Sequence, residues 1–380
     1  MGRSFPPQTS RVAVSWYFLC CGWIFSSWAA RIPAVKDGFN LNDAQLGSVL
    51  FMLPFGSIVA LPIAGWSVHR FGSRAITLLS AIGYAILLVS IGYCRQIWQL
   101  GLVLFMFGFF GDLLNIAMNT QGLGVQQKMQ RPILSSMHGL WSIGALCGAV
   151  VGGWTLRMQW ETSRHFWLVA VVCILLSLAF YLFLIGDEPS ASAGQKIFVR
   201  PDRALLLLGL ICFCTAVAEG AMADWSSLYY RQVMQDPGKI STTGYTAFTL
   251  AMAIGRLFGD RLIAALRYRR TLILNGIFIA GGLALALGIP QPLPVILGYA
   301  LVGLGVSSVI PIVYMIAGKS ATMAPAAALA AVSTVGYTGF LIGPPMIGFI
   351  AHETGLRLAL VTVLLLGMVI TMVSAKTVRE

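Results

Sequence analysis

Residues 111–122 read GDLLNIAMNTQG and follow directly on the apolar run LVLFMFGFF. On a helix, Asp112, Asn115, Asn119 and Gly122 recur at i, i+3, i+7 and i+10 and share one face. Two carboxamides aligned with a carboxyl can hydrogen-bond a polar solute, and the carboxyl can carry a proton. A second unusual stretch, AVAEGAMADW, sets Glu219 and Asp224 in an otherwise apolar segment. Apolar surroundings favour the uncharged form of a carboxyl, so Glu219, Asp224 and Asp112 are the candidate proton-coupling groups. The competing reading is structural: such groups also serve as hydrogen-bonded glue between helices, worth only ~0.6–2 kcal/mol each.

The elements that hold these residues follow from composition. The chain is 58% hydrophobic and 10% charged, with mean hydropathy +0.83 over 380 residues. Its apolar residues fall in runs of about 20, the length that crosses a bilayer core. Twelve spans are predicted, near 11–33, 44–68, 74–94, 97–126, 133–155, 164–185, 204–230, 242–262, 270–289, 293–317, 326–350 and 357–375. All are expected to be helical, because lipid offers no partner to backbone polar groups. Asp112 and Glu219 each lie near the middle of a span, where an Asp costs roughly 2.5–3.5 kcal/mol on insertion scales. Both are therefore expected to face a cavity or a partner, Glu219 in apolar company. Asp224 lies nearer the outer face and can instead cap a helix or pair with Arg231 or another outer-loop base.

The formal charge of +12 does not point to nucleic acid. Of 25 Lys and Arg, 17 fall on one side of the predicted topology, Arg256 among them as an inner helix end. The other eight, including Arg31, fall on the opposite side. The positive-inside rule then predicts an inner-membrane, multi-pass protein with both termini cytoplasmic. The first ten residues, MGRSFPPQTS, lack a cleavable signal, and span 1 is expected to act as its own. The seven cysteines lie in or beside apolar spans with no zinc spacing to histidine, so neither metal site nor disulfide framework is read. Trp28 and Trp225, near span ends, read as interfacial anchors. Gly318-Lys319-Ser320 imitates the end of a phosphate loop, but Val313 stands where its first Gly belongs. No HExxH or GxSxG motif occurs. Neither nucleotide drive, an enzyme nor a cofactor is expected.

The chain is internally duplicated. A polar stretch at 186–203 separates residues 1–185 from 204–380, giving two six-helix bundles joined by a cytoplasmic linker. Gly144, Gly148 and Gly153 recur as Gly339, Gly343 and Gly348, each offset by 195, and Gly108 recurs as Gly303. The same offset takes Asp112 to Ser307 and Asn119 to Tyr314, so a polar but uncharged stripe mirrors the first. Six-helix repeats with a midplane site between them are how major facilitator carriers are built. The substrate-binding set is therefore Asp112, Asn115, Asn119, Ser307 and Tyr314, with His138 and Trp141 one helical hairpin away. His138 reads as a ligand group, a proton relay or a satisfied interior histidine; Trp141 offers a flat apolar face to a ring.

GWSVHRFGSRAITL at 65–78 resembles the major facilitator signature loop, with Gly65, Arg70, Gly72 and Arg74 in place. His69 occupies its acidic position and Ser73 one of its basic ones. An echo, GRLFGDRLIAALRYRR, spans 255–270. The resemblance implies twelve transmembrane helices in two pseudo-symmetric bundles and a gating role for Arg70, Arg74, Asp260, Arg261 and Arg269. More narrowly, residues 26–50 and 219–229 resemble bacterial inner-membrane carriers grouped loosely with fucose permease-type sugar:proton symporters. The function expected is secondary transport by alternating access, as proton symport of a small sugar-like solute by a monomer in the lipid bilayer. A proton-coupled exporter of amphipathic compounds and a membrane sensor are the alternatives.

Overall fold

The computed structural model describes residues 6–130, 133–186, 202–235, 242–320, 323 and 325–378. Among these the chain is helical throughout, without strands. It divides into two units, Met1–Asn40 with Val49–Ala191, and Leu41–Ser48 with Ser192–Glu380. Most of the polar stretch expected to be a linker lies outside the described residues.

The first part of the chain runs α1 (Pro7–Ala29), α2 (Ile32–Gly38), α3 (Asp43–Leu50), α4 (Met52–Phe71), α5 (Ser73–Ile91), α6 (Ile97–Met129), α7 (Leu134–Arg157) and α8 (Thr162–Tyr181). The second runs α9 (Arg203–Met234), α10 (Thr243–Gly288), α11 (Pro292–Ser307), α12 (Val309–Ala317), α13 (Pro325–Thr354), α14 (Leu356–Ala359) and α15 (Val361–Thr377). Eleven helical segments among the described residues are long and apolar enough to cross a membrane. The twelfth predicted span, 242–262, is the first limb of α10, which bends at Arg267. Two predicted spans are interrupted instead. The breaks at Phe51 and Ser308 each stand three residues before a proline, Pro54 and Pro311, whose missing N–H leaves the preceding turn without a ladder bond.

Duplication reaches the packing. In α6, a Cβ on Gly108 would overlap the carbonyl oxygen of Leu53 in α4; in α11, a Cβ on Gly303 would overlap that of Phe248 in α10. Both members of the pair are shifted by 195. Likewise Gly144 of α7 meets the Leu19 carbonyl of α1, and Gly339 of α13 meets the Phe213 carbonyl of α9. Small residues let helix backbones touch where lipid supplies no hydrophobic drive for association. Gly47, grouped with the second unit, packs in the same way on Gly348, 3.0 Å from its Cα when given a Cβ.

Two of the reading's polar assignments change. Trp28 and Trp225 are 1% and 0% exposed, so they are core residues rather than interfacial anchors. Arg31 is not an outer-loop base but is 2% exposed. Its Nε donates to His165 Nδ1 (3.2 Å), Nη1 to the Trp160 carbonyl (3.1 Å) and Nη2 to Thr155 Oγ1 (2.9 Å). The guanidinium thereby ties the end of α1 to the end of α7 and the start of α8. The seven cysteines are free thiols.

The backbone records the repeat as well. Asn40 and Gln235, 195 apart, both have φ 50° where the first helical segment of each half ends. Gly72 (φ 84°, ψ 146°) and Arg267 (φ 62°, ψ 169°), again 195 apart, make the turn between the second and third spans of each half. Only glycine adopts that backbone region without steric cost, which for other residues is about 1–3 kcal/mol. Gly72→Ala is expected to destabilise the protein by about that amount, whereas Arg267→Gly leaves stability unchanged or raises it. Chemical unfolding of the two variants in detergent reads both signs; equal losses in the two would contradict the assignment.

Candidate functional site

The polar face read from the sequence is present on α6. Asp112 lies 15 residues after Ile97 in a 33-residue helix, thus at mid-length. Asn115 Nδ2 donates to Asp112 Oδ1 (3.4 Å), and Asn119 Nδ2 donates to both the Asn115 carbonyl (2.8 Å) and Asn115 Oδ1 (3.0 Å). The three side chains form one ladder along the helix. Asp112 is 8% exposed, and its Oδ2 is buried with no hydrogen-bond partner among the described residues. Asn115 and Asn119 remain half-buried. Gln121, on another face, is committed to structure: it donates to Ser73 Oγ (2.8 Å) and the Ile185 carbonyl (3.0 Å) and accepts from Ile185 N–H (2.9 Å).

His138 and Trp141 follow on α7. His138 is exposed and meets the Phe18 ring edge-on at 5.2 Å, so the reading of a fully interior histidine does not hold. Trp141 is half-buried, its ring 6.1 Å from Phe25. Its carbonyl is the point of closest approach to Gly22 of α1.

In the second unit the mirrored stripe is more self-satisfied. Ser307 is buried and its hydroxyl donates to the Leu304 carbonyl of its own helix (2.7 Å). Tyr314 is half-buried and accepts from Ser333 Oγ of α13 (2.8 Å). Asn275 of α10 donates to Ser308 Oγ (2.9 Å) in a fully buried pair that the sequence reading does not single out.

Glu219 departs from expectation. It stands at mid-length of α9, 16 residues after Arg203, but not in apolar company: Arg256 Nη2 lies 3.4 Å from its Oε1. Arg256 is accordingly no inner helix end. It sits midway along the first limb of α10, 13 residues after Thr243 and 11 before the bend. The pair is 37 residues apart in sequence, and only the facing of α9 and α10 brings it together. One signal was available, since Arg256 falls inside the predicted span 242–262. Asp224 is half-buried and has no ion-pair partner among the described residues; the expected pairing with Arg231 is not formed.

The residues expected to gate divide by role. Arg74 Nη2 donates to the Leu182 carbonyl (3.2 Å) with its guanidinium over the Tyr181 ring, 4.7 Å from the centroid. Its counterpart at offset 195, Arg269, donates through Nε (3.2 Å) and Nη2 (2.7 Å) to the Ala375 carbonyl. Each arginine thus caps the C-terminal end of the last helix in its own half, a favourable place for a cation. Arg70 is exposed, and Arg261 lies over the Phe258 ring at 5.6 Å. The side chain of Asp260 lies outside the described residues.

No cluster of three metal-ligating side chains occurs among the described residues. The α6 ladder presents a polar face at mid-helix, and α9 and α10 hold an ion pair at mid-helix. A profile described as Major Facilitator Superfamily matches residues 14–324. The chain is 32% identical over 364 residues to "Membrane protein MosC" of Rhizobium meliloti, covering 95% of this chain and 88% of that protein. It is 31% identical over 361 residues to an uncharacterized MFS-type transporter of Yersinia pestis, covering 95% and 94%. A crystal structure of a variant of the nucleoside transporter NupG superposes with TM-score 0.81 at 12% identity, over 97% of this chain and 99% of that one. At that identity the likeness speaks for the fold. A duplicated helical architecture, a family profile over most of the length and relatives covered nearly end to end agree: the chain belongs to the Major Facilitator Superfamily, and it is a multi-pass membrane transporter of the secondary type, not an enzyme.

Proposed function

We propose that the protein moves a small polar solute by alternating access in symport with protons, and that Asp112 is the carboxyl that carries the proton. The observation behind this is the orphaned, buried Oδ2 of Asp112 at mid-length of α6. An ionised carboxylate left there without a cation is costly, roughly 2.5–3.5 kcal/mol at mid-membrane, whereas a protonated one carries no net charge. Loading a proton from one side lets the carrier reorient with a neutral site, and release on the other resets it. Glu219 is a weaker candidate than the sequence reading made it, because Arg256 already neutralises its carboxylate. The solute is bound in part by Asn115 and Asn119. Asn119 commits its Nδ2 to Asn115, which leaves its half-buried Oδ1 as an acceptor for a ligand. Placement in an inner membrane with cytoplasmic termini, a sugar-like solute, and a bias of the inward/outward equilibrium by Arg70, Asp260 and Arg261 complete the proposal.

Asp112→Asn fixes the uncharged state of the site. In proteoliposomes with an imposed pH difference it is expected to abolish accumulation of solute against its gradient while leaving exchange at equal concentrations intact. Full accumulation by the variant would remove Asp112 from coupling.

Asn119→Ala removes a ligand group and frees Asn115. A loss of about 1–3 kcal/mol in solute affinity is expected, the range for leaving a buried polar partner unsatisfied. Calorimetry on detergent-solubilised protein measures it, and unaltered affinity would return the α6 ladder to a packing role.

A further inference from the structure

We propose that the second unit holds an anion site at Arg256, with Glu219 as its resting counter-ion, and that the transported solute carries a carboxylate. This deepens the transport reading above and rests on it. An arginine stays charged at any physiological pH and presents a planar fork suited to a carboxylate. Placed midway along a membrane helix it is costly, so its presence calls for a function or a tight structural partner.

The geometry argues against a purely structural pair. Structural Arg–carboxylate pairs in apolar surroundings are tight and often two-pronged, with N···O near ~2.7–2.9 Å. Here Nη2 meets Oε1 at 3.4 Å, and the side chains retain 22% and 15% of their exposure. The contact is longer than that range and partly exposed. Its neighbourhood on α9 and α10 is built of small residues: Gly220 follows Glu219, and Gly255 precedes Arg256 and packs on Ser307. Ser307 is the repeat counterpart of Asp112, so each half carries its charged function at the same level of the fold. Where the first half has an acid without a cation partner among the described residues, the second has a base. An incoming carboxylate displaces or shares the contact that Glu219 makes.

Charge accounting links the two sites. A monocarboxylate bound at Arg256 adds one negative charge to the carrier, and a proton on Asp112 adds one positive charge. The cargo of one anion with one proton is neutral, so the loaded carrier has the same net charge as the empty one.

The test is binding without any gradient, on the full-length protein in detergent. Probes are gluconate, galacturonate, lactate and pyruvate, set against the neutral sugars glucose and galactose. At least one acid is expected to raise the unfolding temperature and to bind in calorimetry at least about tenfold more tightly than its neutral partner. Arg256→Gln is expected to weaken that binding by about 30-fold or more, the scale for truncating one member of a hydrogen-bonded charge pair. Glu219→Gln, which removes the competing carboxylate, retains or strengthens it. Because Arg256→Gln alone strands Glu219, the neutral double variant Glu219→Gln/Arg256→Gln supplies a folded control that also loses acid binding. Failure of every acid to bind the wild type, equal binding of acids and neutral sugars, or acid binding retained in the double variant would each overturn the proposal. Arg256-dependent acid binding together with accumulation that survives Asp112→Asn would sink the coupling assignment alone. Loss of accumulation in that variant without acid binding would sink this one alone.

Discussion

Close approach of helix backbones in a medium that offers no hydrophobic drive is the constraint on which the rest depends. Between helices surrounded by lipid, apolar side chains gain nothing by leaving the solvent, so association relies on dispersion contacts and weak polar ones. Glycine against a carbonyl is the form this takes here. Gly108 on Leu53, Gly303 on Phe248, Gly144 on Leu19 and Gly339 on Phe213 each bring two backbones into contact within one half. These contacts fix the rotation of α6 about its axis and of α10 against α11. Rotation in turn decides whether Asp112 is buried and whether Arg256 faces α9. A methyl group at any of the four positions would displace a backbone, and the polar faces would move with it.

Polar groups in such helices sort into two kinds. The first kind is spent on architecture: Arg31 on His165, Thr155 and Trp160, Gln121 on Ser73 and Ile185, Arg74 and Arg269 on the last helix of each half. Each of these long side chains satisfies backbone carbonyls, hydroxyls or a ring nitrogen, and none needs a ligand. The second kind keeps unsatisfied capacity or exposure: Oδ2 of Asp112, the half-buried Asn119, and the partly exposed pair of Glu219 and Arg256. Residue type does not separate the kinds, since both contain arginines and amides. The contacts that each side chain makes do.

That distinction marks what was legible in the sequence. The spans were legible, because a run of about 20 apolar residues has few other uses. The polar ladder of α6 was legible too, because i, i+3 and i+7 contacts lie within one helix and need no knowledge of its neighbours. Pairings between helices were not. Arg256 was assigned by its distance from a span end, and nothing local says that it faces Glu219, 37 positions earlier. Trp28 and Trp225 failed for the same reason: depth can be read from position along a span, but facing cannot, and both rings face the core. Arg31 looked like a loop base because nothing local shows that its guanidinium meets Thr155, Trp160 and His165, 124 to 134 positions later. The breaks at Phe51 and Ser308 had a visible cause in Pro54 and Pro311, but hydropathy averaging smooths over a single turn.

The duplication makes the remaining asymmetry informative. Backbone conformation is copied between halves down to single residues, as Asn40 with Gln235 and Gly72 with Arg267 show. One architectural polar contact is copied as well, that of Arg74 with Arg269. The mid-helix charges are not copied. Asp112 corresponds to Ser307, and Glu219 and Arg256 have no charged counterparts at offsets of 197 and 195, where Gly22 and Leu61 stand. The cost of these charges in a bilayer supports the proposal that they serve the solute and the coupling proton.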